Sequence, residues 1–197
     1  CAHVCTCVRV CVCACVCVCR QVCFMILTTY GCITPPLGAL EFFAGEKAVT
    51  NAHLSHGVSA VGYDIRYDPV HMNFMSEAGY VNALRLALGC EDLAQNSNGP
   101  VCSSFVWVSR ASTGRSVWNP LGNARCASVV MGNEMVSRLM LILLIMKAKG
   151  CFVITEQPKG SLMESHPRFV WFNRRVPLFR KYVAMKWYGA PSVKGTW

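Results

Sequence analysis

The chain has 197 residues, 53% of them hydrophobic and 15% charged, with a formal net charge of +9. That length holds one ordinary domain with tails, and that composition excludes a chain too polar to fold. The charge is uneven. Residues 1–36 carry two bases and no acid, residues 37–170 carry eleven bases and ten acids, and residues 171–197 carry six bases and no acid. A nearly neutral body therefore bears a basic C-terminal tail, which permits a phosphate-bearing partner without identifying one.

The first 36 residues read as separate from the fold. They open CAHVCTCVRVCVCACVCVCR, and ten of the 14 Cys precede residue 33. The period of two and the intervening Val suit a translated TG dinucleotide repeat better than a soft-metal tract. The apolar stretch Val22–Ile33 is like a short signal-peptide core and is shorter than a spanning helix requires. Pro35-Pro36 marks the boundary. The other cysteines, Cys90, Cys102, Cys126 and Cys151, are scattered as in a reduced protein, which favours an intracellular setting.

Leu37–Phe43 reads as a strand running into the small-residue turn Ala44-Gly45. A helix follows over Ala48–His56, then a second strand over Val58–Tyr63 ending at Asp64. Strand, helix, strand is the opening of a parallel α/β sheet. Ser76 caps the next helix, in which Tyr80, Ala83, Leu84, Ala87 and Leu88 recur at helical spacing, and Gly89 stops it. Glu91–Asn98 is polar where the alternation calls for a buried strand, so it reads as a very short strand or an irregular segment. Ser128–Lys149 is the clearest helix, a buried core helix rather than a membrane span, with Lys147 and Lys149 in its last turn. Cys151–Thr155 then reads as a central strand. A membrane partner is not expected for this core.

Three polar stretches fall at the carboxyl ends of these strands, the edge where open α/β sheets bind ligands. The first is Glu41–Lys47 with Asp64, where a small-residue turn lets a nucleotide approach and the acid can accept ribose hydroxyls. An ordinary strand-to-helix turn explains the same residues. The second is Asn98–Phe105, followed by Ser109, Arg110, Gly114 and Arg115. There Cys102 is either a nucleophile on a Gly-Pro loop or an inert thiol. The third is Glu156-Gln157-Pro158, a carboxylate able to protonate or hydrogen-bond a substrate, or a solvated strand end. His53, His56, His71 and His166 have no metal-ligand spacing to Cys or acids, so no metal is assigned.

In this order the stretches resemble the DNA (cytosine-5)-methyltransferase family of class I S-adenosylmethionine-dependent methyltransferases. LEFFAGEKAVT (Leu40–Thr50) is similar to its first motif, Asp64 to its ribose acid, GPVCSSFVWVSRASTGR (Gly99–Arg115) to its Pro-Cys loop, and TEQPKGSL (Thr155–Leu162) to its Glu-Asn-Val motif. The resemblance spans residues 37–170. It implies an α/β fold, Rossmann-like, with a mostly parallel sheet flanked by helices and an incomplete C-terminal part. It implies S-adenosylmethionine held by Phe43, Ala44, Gly45, Asp64 and Pro100. Cys102 and Glu156 become the catalytic pair, with Ser104, Arg110 and Arg115 on the substrate side. Cys102 would attack carbon 6 of a cytosine, which is flipped from a duplex or offered single-stranded.

The sequence departs from that pattern. Val101 stands for the Pro before the Cys, Ser103 for Gln, and Gln157-Pro158 for Asn-Val. Glu46-Lys47-Ala48 fills the turn where the family has glycines. After residue 170 no target-recognition domain and no segment returning to the cofactor pocket is legible. The basic, aromatic residues 171–197 suit contact with DNA or RNA, or else form an incomplete subdomain. Two alternatives therefore stand beside an active enzyme. One is a degenerate module that binds nucleic acid or protein without turnover. The other is a fragmentary gene product, favoured by the opening repeat.

Overall fold

The computed structural model describes Met25, Thr29, Gly31, residues 33–184 and residues 195–196. The Cys-Val tract and much of the basic tail lie outside these residues.

The elements alternate. Strand β1 (Leu37–Phe42) leads through helix α1 (Ala48–Ser55) to β2 (Ala60–Tyr63), and helix α2 (Glu77–Leu88) leads to β3 (Cys90–Asn98). A long connection holds a 3-10 turn (Trp107–Ser109) and the single-turn helix α3 (Arg110–Thr113). Helix α4 (Ala127–Ala148), β4 (Phe152–Thr155), a 3-10 turn (Leu162–Ser165) and α5 (Pro167–Asn173) follow. A two-residue ladder of β5 (Val183–Ala184) and β6 (Gly195–Thr196) ends the described chain. The larger sheet has four strands in the order β2-β1-β3-β4, all parallel.

Local signals explain most boundaries. Ser76 Oγ accepts from Gly79 N at 3.0 Å and caps α2. The residue before α1, Lys47, offers no capping side chain. Glu41 substitutes from within β1, accepting from Thr50 N at 2.8 Å and Thr50 Oγ1 at 2.6 Å. Gly62 makes this packing possible, since a Cβ there would stand 2.9 Å from both Lys47 Cγ and Thr50 Oγ1.

Two expectations change at the sheet. The polar segment is no irregular stretch but the nine-residue strand β3, which lies between β1 and β4. Its buried amides find partners on the neighbouring backbones. Asn96 Nδ2 donates to Leu40 O at 3.1 Å, and Asn98 Nδ2 donates to Ile154 O at 3.0 Å and to Asn96 Oδ1 at 2.7 Å. A register shift between Leu37 and Ala39, with Leu93 at φ 65°, absorbs the extra residues. Conversely, Cys151–Thr155 is not a central strand. β4 is an edge among the described residues, and Phe152 and Ile154 are exposed. A short apolar run does not reveal on how many sides it will be covered.

One sheet face carries Leu40, Phe42 and Tyr63 into a core shared with Leu84, Leu139, Met140 and Leu143 from α2 and α4. Helix α4 has the length and apolarity to cross a membrane, but Val136, Leu139, Ile142, Leu143 and Met146 on it are fully buried. α1 packs on the opposite face over β1 and β2.

Candidate functional site

The chain runs from β1 outward to β2, then crosses back to β3 on the other side of β1. Such a reversal leaves a crevice at the carboxyl ends of the two central strands, where the following loops diverge. Here those ends are Phe42 and Asn98, joined by a bond from Gly99 N to Phe42 O at 3.3 Å. The three stretches singled out in the sequence all arrive at this edge.

The turn after β1 is tightly wound. Phe43, Gly45 and Lys47 all have positive φ, at 58°, 51° and 55°. For Phe and Lys this is a sparsely populated conformation that the surroundings must hold. Asp64 supplies much of that hold, with Oδ2 accepting from Gly45 N at 3.0 Å and Oδ1 from Arg66 N at 3.0 Å. Tyr67 OH donates to Gly45 O. The charges that break the glycine pattern are engaged with the segment after β2. Glu46 pairs with Arg66 at 3.1 Å, and Lys47 Nζ lies 3.5 Å from the Tyr67 ring centroid. Phe43 packs on Phe74 at 4.9 Å, and Ala44 is buried. Space over Gly45 is open, with nothing within 4 Å of the position a Cβ would take.

The loops after β3 and β4 are joined to each other. Glu156 N donates to Asn98 O at 2.8 Å. Gln157, wholly buried, donates from Nε2 to Pro100 O at 2.7 Å and accepts at Oε1 from Ser161 Oγ at 2.9 Å. Leu162 N donates to Phe105 O at 2.9 Å. Cys102 is half-buried on this doubly tied loop, and its carbonyl accepts from Phe105 N at 2.8 Å. Glu156 Oε2 lies 4.0 Å from where a Cβ on Gly99 would be, so the carboxylate faces the start of the Cys102 loop.

Gly195–Thr196 comes back to the β4 side of this edge, at Glu156 to Lys159. Thr196 Oγ1 donates to Glu156 Oε1 and sits 2.7 Å from Gln157 O. Lys159 N donates to Gly195 O at 2.9 Å. A strand of small and polar residues at the end of a basic tail gives no periodic signal, so this contact was not readable in the sequence.

The three residues placed on the substrate side behave differently. Arg115 is 2% exposed and acts as an internal anchor. Its guanidinium lies 4.0 Å over the Phe105 ring, and it donates to Ser104 Oγ at 3.3 Å, Val129 O at 3.1 Å and Pro120 O. Burial lowers its pKa to about 10. Ser104 is buried with it. Gly132 on α4 permits the contact, because a Cβ there would come within 2.6 Å of Ser104 Oγ. Arg110 is half-buried and stacks 4.0 Å over Trp107. Neither Ser104 nor Arg115 is displayed toward an incoming ligand.

Asn98 Oδ1 and His166 Nε2 are buried without a hydrogen-bond partner among the described residues, as are Arg110 Nε and Arg115 Nε. His166 Nδ1 accepts from Arg168 N at 3.2 Å and so caps α5, which leaves the proton on Nε2. Burial, with Arg115 and Arg168 nearby, pulls its pKa down to about 4. The sequence marked Asn98 as the start of the second stretch and assigned no metal to His166, but neither reading foresaw a buried, unpartnered atom. A separate cleft of about 260 Å³ opens at the amino ends of the strands, lined by Ile33, Pro36, Glu91 and Lys149 among others.

Comparison with protein-family models finds no match to this chain. Comparison with curated proteins finds none either. Nor does any solved structure match.

Proposed function

We propose that the chain is a Rossmann-like methyltransferase core that binds S-adenosylmethionine where the strand order reverses and acts on cytosine in nucleic acid. One observation carries the reading. The Phe43-Ala44-Gly45 turn, Asp64, the Pro100–Cys102 loop and Glu156 come from four separated stretches, yet all stand on one edge of one parallel sheet.

The donor set around the turn suits the cofactor. Each Asp64 oxygen accepts one backbone N–H and keeps a lone pair for a ribose hydroxyl. The open space over Gly45 admits a ligand close to the backbone. This reading assigns Phe43, Ala44 and Pro100 to the same corner. S-adenosylmethionine, when bound, supplies an electrophilic methyl group. Cys102 Sγ, as the thiolate, forms a bond to carbon 6 of the pyrimidine, and the electron pair of the 5,6 double bond moves to carbon 5. Glu156 hydrogen-bonds the ring nitrogen and amino group and favours that shift. Once carbon 5 carries the methyl group, a base from solvent takes its proton, and the freed electron pair restores the 5,6 double bond as the bond to Cys102 Sγ breaks and releases the thiolate.

Thr196 favours a second reading. Its hydroxyl already engages Glu156 Oε1, which suits a module that binds nucleic acid without turnover. Radiolabelled methyl transfer to cytosine-containing oligonucleotides separates the two. The enzyme reading expects incorporation by the full chain and none by Cys102→Ala. Absence of incorporation from a folded chain that binds S-adenosylmethionine would leave the binding module.

A further inference from the structure

We infer that the connection between β3 and α4 is a stacking platform for unpaired bases, with Trp107 and Trp118 as its aromatic faces. This deepens the reading above and rests on it only for bringing a base toward Cys102; the binding itself stands without methyl transfer.

The platform is exposed. Trp107 is 71% and Trp118 94% exposed, and Val108 and Val117 beside them are 90% and 61% exposed. Large apolar side chains exposed in two pairs along one connection mark an interaction surface more often than an accident of folding.

The loop beneath them is built. Trp118 stands on a turn in which Ser116 N donates to Asn119 O at 3.1 Å and Asn119 N to Ser116 Oγ at 2.9 Å. Asn119 Nδ2 closes onto Gly114 O at 3.2 Å, and Asn123 N onto Thr113 O at 2.8 Å. The buried guanidinium of Arg115 fixes this turn to α4 through Pro120 O and Val129 O. A loop anchored from inside, with its tryptophan turned outward, holds that ring ready at little entropic cost on binding.

Charge selects the occupant. Between Asp92 and Glu134 the sequence carries no acid, and of its three bases Arg115 is buried while Arg110 and Arg125 remain to face solvent. Arg110 stacks on one face of Trp107. The bond from Leu162 N to Phe105 O ties this loop to the segment leading into α5, where Arg168, Arg174 and Arg175 are exposed. The acid of that segment, Glu164, is paired with Arg180, and exposed aromatic faces beside these cations fit a polyanion with planar rings. Single-stranded nucleic acid is that polymer, since its bases are free to stack while its phosphates meet the arginines.

The test is fluorescence anisotropy of the full chain with a labelled oligodeoxycytidylate of about 12 nucleotides, the same length of oligoribocytidylate, and a blunt duplex. Single strands should bind more tightly than the duplex. Trp118→Ala and Trp107→Ala should each weaken single-strand binding by about tenfold or more. Trp118→Phe should keep most of the affinity. Thermal melts should match wild type, because both rings are in solvent. The proposal is overturned if the alanine variants bind as wild type does, or if the duplex binds as well as the single strand. It is overturned equally if the folded chain ignores both oligonucleotides, including the case in which it binds phosphatidylserine vesicles instead. Loss of cofactor binding or methyl transfer with stacking intact would defeat the enzyme reading and leave this one standing.

Discussion

Gln157 Nε2 donates to the carbonyl of Pro100 at 2.7 Å across the carboxyl edge of the sheet. The amide is fully buried, and its oxygen takes the Ser161 hydroxyl at 2.9 Å. One side chain thus joins the loop bearing Cys102 to the loop bearing Glu156. The sequence difference that stood out as a departure, Gln-Pro where the resembling family has Asn-Val, is the residue that ties the two candidate catalytic loops together.

Gln157→Leu keeps the volume and removes both bonds. It leaves Pro100 O without a partner in a dry place and Ser161 Oγ with only its bond from Met163 N, which costs about 1–3 kcal/mol. A urea midpoint lowered accordingly, with an unchanged slope, is the expected outcome. An unchanged midpoint would show that the two loops are held by other contacts.

Arg115 makes a second prediction. Its planar fork reaches three separate acceptors while its face lies on Phe105. Arg115→Lys keeps the charge but not the fork, so the lysine should be nearly as destabilising as Arg115→Met. Thermal unfolding of both variants checks this. Full rescue by lysine would mean that charge, not geometry, is what the site requires.

His166 sets a pH dependence. Its folded pKa of about 4 lies below the unfolded value of 6.5. The unfolded chain therefore binds more protons than the folded one between these values. The stabilisation is complete above about pH 6.5 and is lost as pH falls toward 4, by about 3 kcal/mol in all. His166→Asn retains a side chain able to cap α5 and removes the titration. Stability measured from pH 7 to pH 4 should fall less steeply in the variant; parallel curves would show that His166 is not the group responsible.

Much of the scaffold was legible because it follows local rules. The Ser76 cap, the Gly89 stop and the helix read over Ser128–Lys149 define α2 and α4 almost to the residue. The alternation from Leu37 to Asp64 gave β1, α1 and β2 in the same way. β3 was obscured because Asn96, Ser97 and Asn98 are among its buried residues, and the two asparagines are satisfied by carbonyls of the neighbouring strands, which the sequence does not show. The edge position of β4 is likewise a property of the assembled sheet. At the candidate site, Asp64 beside Gly45 was legible from the turn and the strand-end acid. The burial of Arg115 was not, because a basic residue in a loop reads as solvated until Phe105, Gly132 and Val129 are seen to enclose it.

The central claim is a cofactor pocket at the reversal between β1 and β3, and calorimetric titration of S-adenosylmethionine into the full chain tests it most directly. Saturable binding at one site is predicted, weakened about tenfold or more in Asp64→Asn, which keeps the side chain's shape but loses its charge. No heat of binding from a demonstrably folded chain, or equal binding by Asp64→Asn, would contradict it.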